Sequence, residues 1–168
     1  MTSPTIKPIK QAEYTAEQIA DYFVYLASQK MADENTPEGI SPLKLQKLLY
    51  FGQAASLALF DKKLFKEDIE AWKYGPVVPV IYRKYKFKQN QPLLKPKGVY
   101  KEIKNMEVKN ILEGVWELFD KYSASELVEI THQHTPWKNT YKENENIVIP
   151  PKILRDYYKN IFELKESN

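Results

Sequence analysis

Residues Ser41 to Phe60 read SPLKLQKLLYFGQAASLALF, and this stretch predicts a long helix that is buried on most of its sides. Ser41 suits the N-cap, and Pro42 suits the first helical position, where no backbone N–H is needed. Apolar residues then cover one wide arc at helical spacing: Leu45, Leu48, Leu49, Gly52, Ala55 and Leu59, widened by Tyr50, Phe51 and Leu57. A helix with so broad an apolar arc is largely buried.

The polar remainder of this helix is predicted to be narrow. Lys47 lies near one margin of the apolar arc, whereas Gln46 and Gln53, seven residues apart, share another strip. Lys44 falls inside the arc, in the first turn. From there its amine is expected to reach water along the alkyl stem of the side chain.

Capping residues, prolines and helical periodicity predict five further helices. Their approximate ranges are 16–30, 76–86, 108–122, 123–134 and 151–162. Gly75 is predicted to form a backbone turn, and Pro76 is predicted to start the helix that follows. Residues 69–73 are predicted to be extended, and residues 87–104 to form a loop or a loose β-ribbon. The predicted fold is mainly α, a single compact domain of about six helices with a minor extended or β-ribbon element.

Length and composition favour one globular domain. The chain has 168 residues, 43% of them hydrophobic, which suffices for one core. We expect a flexible lead over residues 1–14, the domain over 15–164 and a short tail over 165–168. The absence of cysteine fits a reducing compartment, and no apolar run is long enough for a membrane span. The expected location is therefore the cytoplasm, without a membrane partner.

Motifs that carry catalytic chemistry are scarce. The five glycines stand too far apart for a dinucleotide fingerprint or a phosphate-binding loop. The two histidines, His132 and His134, are two residues apart, although helical zinc pairs usually stand four apart. We therefore expect no catalytic residue, no metal and no cofactor, and interpret the chain as a non-enzyme. A hydrolase or metal enzyme built on His132 is the third interpretation.

Residues 83–104 form a basic segment, with eight basic side chains against one acid, Glu102. Tyr85, Phe87 and Tyr100 alternate with these charges. Cations for phosphates and aromatic rings for bases are typical of single-strand nucleic-acid binding. The net charge of only +3 argues against nucleic acid as the main partner, and an acidic protein would use the same charges. Nucleic-acid binding through this segment is the second interpretation.

Three stretches together resemble the Panacea antitoxin domain, also described as SocA-like or phage-associated GepA-like. The first is KLQKLLYF over residues 44–51, with Gln53 after it. The second is EAWKYGPVVP over residues 70–79. The third is Thr131-His132-Gln133 followed by Pro136-Trp137. Their order and spacing agree with the family over residues 42–137.

This resemblance implies an antitoxin that neutralises a cognate protein toxin, encoded by an adjacent gene, by direct protein contact. The family serves many unrelated toxin classes, so the identity of the toxin is not implied. The residues proposed for toxin contact, or for its direct support, come from the three motifs. They are Lys44, Gln46, Lys47, Tyr50, Gln53, Trp72, Tyr74, Gly75, Pro76, Val77, Thr131, His132 and Trp137.

The turn that contains Trp72 and Tyr74 has two interpretations. Aromatic side chains beside a rigid Gly-Pro pair lose little conformational entropy when a partner covers them, so they suit a binding hot spot. Alternatively, Trp72 and Trp137 fill the domain core and hold the turn against the helix end at His132.

Overall fold

The structure is a computed structural model that describes residues 7–34, 39–94 and 102–162. Within these ranges lie seven α-helices, three short strands and a 3-10 turn at Lys86–Lys88. In chain order the elements are α1 (Ala16–Glu34), α2 (Pro42–Phe60), β1 (Glu70–Trp72), β2 (Gly75–Val77), α3 (Pro79–Tyr85), α4 (Met106–Phe119), α5 (Ala124–Gln133), α6 (Thr135–Lys138), β3 (Ile147–Val148) and α7 (Pro151–Phe162). The mainly α fold is confirmed, and each of the six predicted helices has a counterpart.

Helix α2 is the centre of the core. Its residues are buried without interruption over positions 45–58, and it packs against α1, α4, α5 and α7. Ser41 caps its N-terminus by accepting the Lys44 backbone N–H at 3.2 Å, as predicted. Each fully buried leucine of α2, such as Leu45 or Leu48, stabilises the fold by roughly 1.5–3 kcal/mol.

The chain before α1 is attached to the loop after α2. The Lys10 backbone N–H donates to the Asp61 carbonyl at 2.8 Å, and the Lys66 backbone N–H donates to the Tyr14 carbonyl at 3.1 Å. Residues 1–6 of the predicted lead and residues 163–168, with the predicted tail, lie outside the described residues. The limits of the domain at 15 and 164 therefore stay predictions.

A small antiparallel sheet has the strand order β2-β1-β3. The predicted extended stretch is confirmed as β1, but the prediction that Pro76 starts a helix is wrong. Pro76 lies in β2, opposite Ala71 of β1. Gly75 adopts a φ of +106°, which folds β2 back on β1 in a tight turn. Pro79 instead takes the N-terminal position of α3.

The seventh helix, α6, was not predicted. Only His134 separates its four residues from α5. The His134 backbone is extended, which ends α5, and Pro136 falls in the first turn of the new helix. Pro136 thus begins a helix besides ending the one before it. The single turn of α6 carries Trp137, which is buried.

Within the described residues no helix is long and apolar enough to cross a membrane.

Candidate functional site

A groove of about 440 Å³ lies where the β1–β2 turn meets α3 and the start of α2. Two of its walls are aromatic: the rings of Trp72 and Tyr82 meet edge to face, with their centroids 4.9 Å apart. The side chain of Tyr74 is 62% exposed and that of Tyr82 is 45% exposed. Among the described residues, the lining consists of Pro42, Leu43, Gln46, Trp72, Lys73, Tyr74, Val77, Ile81, Tyr82, Tyr85, Lys86, Gln89 and Asn90.

Gln46 fixes the segment that follows β2. Its amide oxygen accepts the Val78 backbone N–H at 2.8 Å, and its amide nitrogen donates to the Val78 carbonyl at 3.2 Å. The Gln46 amide therefore bonds both the N–H and the carbonyl of Val78, as the backbone of a neighbouring strand would. Gln46 is buried, although it belongs to the polar strip of α2.

Lys47 is fully buried behind the Gly75 turn, whereas the sequence places it at the margin of the apolar arc. Its Nζ donates to the Pro76 carbonyl at 2.9 Å. Burial lowers the pKa of Lys47 to about 7. The amine lies in the core because the β2 backbone offers it an acceptor there, a contact that helical periodicity alone does not encode.

Because Gly75 has no side chain, Lys47 can pack against the turn at this position. A Cβ at this position would stand 2.9 Å from Lys47 Cε and 3.0 Å from the Thr131 hydroxyl oxygen. Thr131 is itself fully buried, and its hydroxyl donates to the Val128 carbonyl at 2.8 Å. The first, second and third motifs therefore meet at this turn.

Trp137 fixes the other side of the turn. Its indole N–H donates to the Trp72 carbonyl at 2.7 Å. The Trp137 ring is stacked between His132, at a centroid distance of 3.9 Å, and Tyr141, at 4.8 Å. The Trp72 ring is instead partly exposed, and its N–H donates to Glu70 at 3.1 Å. Trp137 therefore fits the interpretation as a core residue, whereas Trp72 presents one side to the groove.

Gln53 and Tyr50 hold other parts of the core, outside the groove lining. The Gln53 amide accepts the Leu64 backbone N–H at 2.6 Å and donates to the Phe65 carbonyl at 3.1 Å. Tyr50 accepts the hydroxyl proton of Tyr158 at 2.9 Å. Both side chains are buried, so the polar strip that Gln53 shares with Gln46 is not exposed.

Lys44 lies away from the turn as well. Its amine donates to the carbonyl of Asp120, the residue that follows α4, at 2.5 Å. Carbonyls at a helix C-terminus attract a cation, which accounts for this contact. Lys44 is partly exposed, so the contact does not contradict the expectation that its amine reaches water. Of the residues proposed from the sequence, Gln46, Trp72, Tyr74 and Val77 line the groove.

The two histidines do not form a joint site. His132 stacks on Trp137, whereas His134 shares a hydrogen bond of 2.7 Å with the Tyr158 hydroxyl. Burial lowers the pKa of both histidines, and the charge of Lys47 lowers the pKa of His132 further. Among the described residues, no group of three or more side chains is placed to hold a metal ion.

The basic segment contributes to the groove only in part. Lys86 lines it, whereas Lys84 pairs with Glu17. Residues 95–101 of this segment, with Tyr100, lie outside the described residues.

Sequence reasoning missed Lys73, Tyr82 and Lys86 as groove residues. Tyr82 and Lys86 are four residues apart, beside the apolar stripe of Ile81 and Tyr85. At this spacing the two side chains lie on one face of a helix, next to that stripe, and the sequence could have indicated this.

Comparison with known proteins agrees with the three motifs. The family model described as "Antitoxin SocA-like, Panacea domain" matches residues 45–138. The chain is also similar to "Antitoxin SocA" of Caulobacter vibrioides (strain NA1000 / CB15N), at 35% identity over 109 residues. That similarity covers 58% of this chain and 58% of the length of that antitoxin. No solved structure matches the chain.

Proposed function

Because this chain belongs to the SocA-like Panacea antitoxin family, we propose that it is an antitoxin that neutralises a cognate protein toxin by direct binding. The toxin is the product of an adjacent gene, and the two proteins meet in the cytoplasm. Neutralisation requires no catalysis by this chain. The contact surface is the groove, with Trp72 and Tyr74 at its centre.

The observation that carries this proposal is an exposed aromatic turn on a fixed scaffold. Tyr74 and Tyr82 expose about half of their surface or more, and Trp72 is partly exposed beside them. A contiguous exposed apolar patch with a polar rim is typical of a protein-interaction site. Aromatic side chains in such a setting contribute most of the binding energy of many interfaces.

The scaffold makes the turn suitable for tight binding. Gln46 holds the backbone of Val78, Lys47 holds the Pro76 carbonyl, and Trp137 holds the Trp72 carbonyl. A turn fixed from three sides has little backbone entropy left to lose when a partner covers it. The buried motif residues therefore support binding by fixing the turn, and the exposed ones make the contact.

The test is co-expression of this chain with the product of each adjacent gene. We expect one product to stop growth when expressed alone, and the wild-type chain to restore growth and to co-purify with it. Tyr74→Ala is the informative variant, because its ring is exposed and its loss leaves the core intact. Leu118→Ala on α4, where the side chain is 50% exposed, is the matched control.

Loss of rescue by Tyr74→Ala, with rescue retained by Leu118→Ala and unfolding temperatures unchanged, supports the proposed surface. Antitoxin function itself is refuted if no adjacent gene product is toxic, or if the wild-type chain neither binds nor rescues it.

A further inference from the structure

The residues that line the groove indicate the chemistry of the ligand that it binds. We propose that it binds an acidic linear segment of the toxin that inserts one or two large apolar side chains into the space lined by Leu43, Val77 and Ile81. This inference rests on the proposed antitoxin function and adds the chemistry of the segment that is recognised.

The floor of the groove is apolar. Leu43 comes from α2, Val77 from β2 and Ile81 from α3. A volume of about 440 Å³ lies toward the small end of the range for pockets that enclose a compact ligand. It therefore accommodates one or two side chains of an extended segment, whereas a flat protein surface would leave it unfilled.

The rim of the groove is positively charged. Lys73 and Lys86 line it, and none of its thirteen lining residues is acidic, as far as the structure describes the chain. Arg83 and Lys88, both exposed, stand on α3 and on the 3-10 turn beside it. Carboxylates that flank an apolar anchor would meet these cations, and such complementarity favours fast and selective association.

Glu70 is an acidic group that contacts the lining from outside. It accepts the indole N–H of Trp72 and so orients that ring. Lys84 does not add to the charge available to a partner, because it pairs with Glu17. The available cations are thus concentrated on the Lys73 and Lys86 sides of the groove.

Single-stranded nucleic acid fits these contacts less well. The Trp72 and Tyr82 rings pack edge to face at an interplanar angle of 66°, so there is no slot between parallel rings for a base. The amide of Gln46, which lines the groove, is committed to the Val78 backbone and cannot read a base edge. A segment with apolar side chains and flanking carboxylates would place the side chains on the floor and the carboxylates at the rim. Neither surface would need to rearrange.

The experiment compares two double charge reversals in the full chain. Lys73→Glu/Lys86→Glu reverses the rim, and Lys152→Glu/Lys159→Glu reverses two exposed lysines on α7. Both variants change the formal net charge by the same four units, from +3 to −1. Affinity for the purified toxin is measured at low and at physiological salt. Circular dichroism confirms that both variants are folded.

We expect the rim reversal to weaken toxin binding by about tenfold or more and to lower its salt dependence, while the α7 reversal binds nearly as wild type. Overlapping peptides that cover the toxin sequence then identify the segment. The peptide that binds wild type best is expected to carry net negative charge around a large apolar residue, and to lose binding to Trp72→Ala.

The inference is overturned, with the antitoxin function intact, if toxin binds wild type and the rim reversal equally well. It is also overturned if the best-binding peptide is basic or lacks an apolar residue. Tight binding of an oligothymidylate that competes with the toxin and is lost in the rim reversal would assign the groove to nucleic acid instead. Failure of wild type to bind the toxin at all refutes the proposed function.

Discussion

The indole nitrogen of Trp137 lies 2.7 Å from the carbonyl oxygen of Trp72 and donates a hydrogen bond to it. These two residues belong to different motifs of the sequence, and they meet because α6 packs beside the β1–β2 turn. The bond fixes the backbone of Trp72, while the Trp72 ring remains at the groove. Trp137 thus supports the turn from which the Trp72 ring reaches the groove.

Replacing Trp137 with phenylalanine is expected to lower the free energy of unfolding by about 1–3 kcal/mol, because the Trp72 carbonyl loses its donor while most ring stacking is kept. Trp137→Ala removes the stacking too and is expected to cost about 3–5 kcal/mol. Denaturant unfolding measures both. If Trp137→Phe is as stable as wild type, the indole bond does not hold the turn. Trp116→Phe, at a partly buried position on α4, serves as the comparison.

The pH dependence of stability is expected to report on Lys47. Its folded pKa of about 7 lies below the ordinary lysine value of 10.5, so the unfolded chain binds more protons between these two values. The free energy of unfolding therefore rises with pH above 7, by about 1.4 kcal/mol per pH unit from this group. Below pH 7 both states are protonated, and the cost of burying the charge is fully present.

Lys47→Met removes the titration while keeping most of the side-chain volume. We expect the difference in stability between wild type and Lys47→Met to change with pH between 7 and 9 in favour of wild type. Lys152→Met, at an exposed position, should run parallel to wild type. Parallel curves for wild type and Lys47→Met would show that Lys47 titrates normally.

Gly75→Ala is expected to destabilise the protein by more than about 1 kcal/mol, because φ at this position is +106° and a Cβ would stand 2.9 Å from Lys47 Cε. Gly114→Ala is the matched control. Gly114 is inside α4, and a Cβ there would meet no atom of another segment within 4 Å, so alanine should stabilise by about 0.5–1 kcal/mol. Thermal unfolding distinguishes the two. Equal stability of Gly75→Ala and wild type would contradict the close packing at the turn.

The sequence was sufficient for elements whose signals are local. Ser41 and Pro42 mark the start of α2, and the apolar arc that follows predicts its burial; both features act within a few residues. The three motifs also pointed to the family that the comparisons support. Neither inference required knowledge of which segments pack together.

The burial of polar residues on α2 could not be predicted in this way. Gln46 and Lys47 are buried because the backbone of Val78 and Pro76, about thirty residues further along the chain, satisfies them. Spacing on one helix gives no information about an acceptor that another segment brings. The same limit explains Pro76, whose local signal suits a helix start but whose pairing with Ala71 makes it part of a strand.

The groove depends on tertiary packing as well. Trp72 and Tyr74 could be singled out from the second motif, but Tyr82 and Lys86 become part of the same surface only because α3 packs beside the turn. That helix begins three residues after the predicted start, although its buried residues Ile81 and Tyr85 belong to the predicted stripe. The contact residues therefore stay a proposal that binding measurements must test.

The most direct test measures toxin affinity and thermal unfolding on the same Trp72→Ala and Tyr74→Ala proteins. We predict that both variants bind the adjacent-gene toxin at least about thirtyfold more weakly, which corresponds to about 2 kcal/mol for a hot-spot aromatic. We also predict that Tyr74→Ala unfolds at the wild-type temperature, because its ring is mostly exposed. Wild-type affinity in both variants would contradict the claim that this turn is the toxin-binding surface.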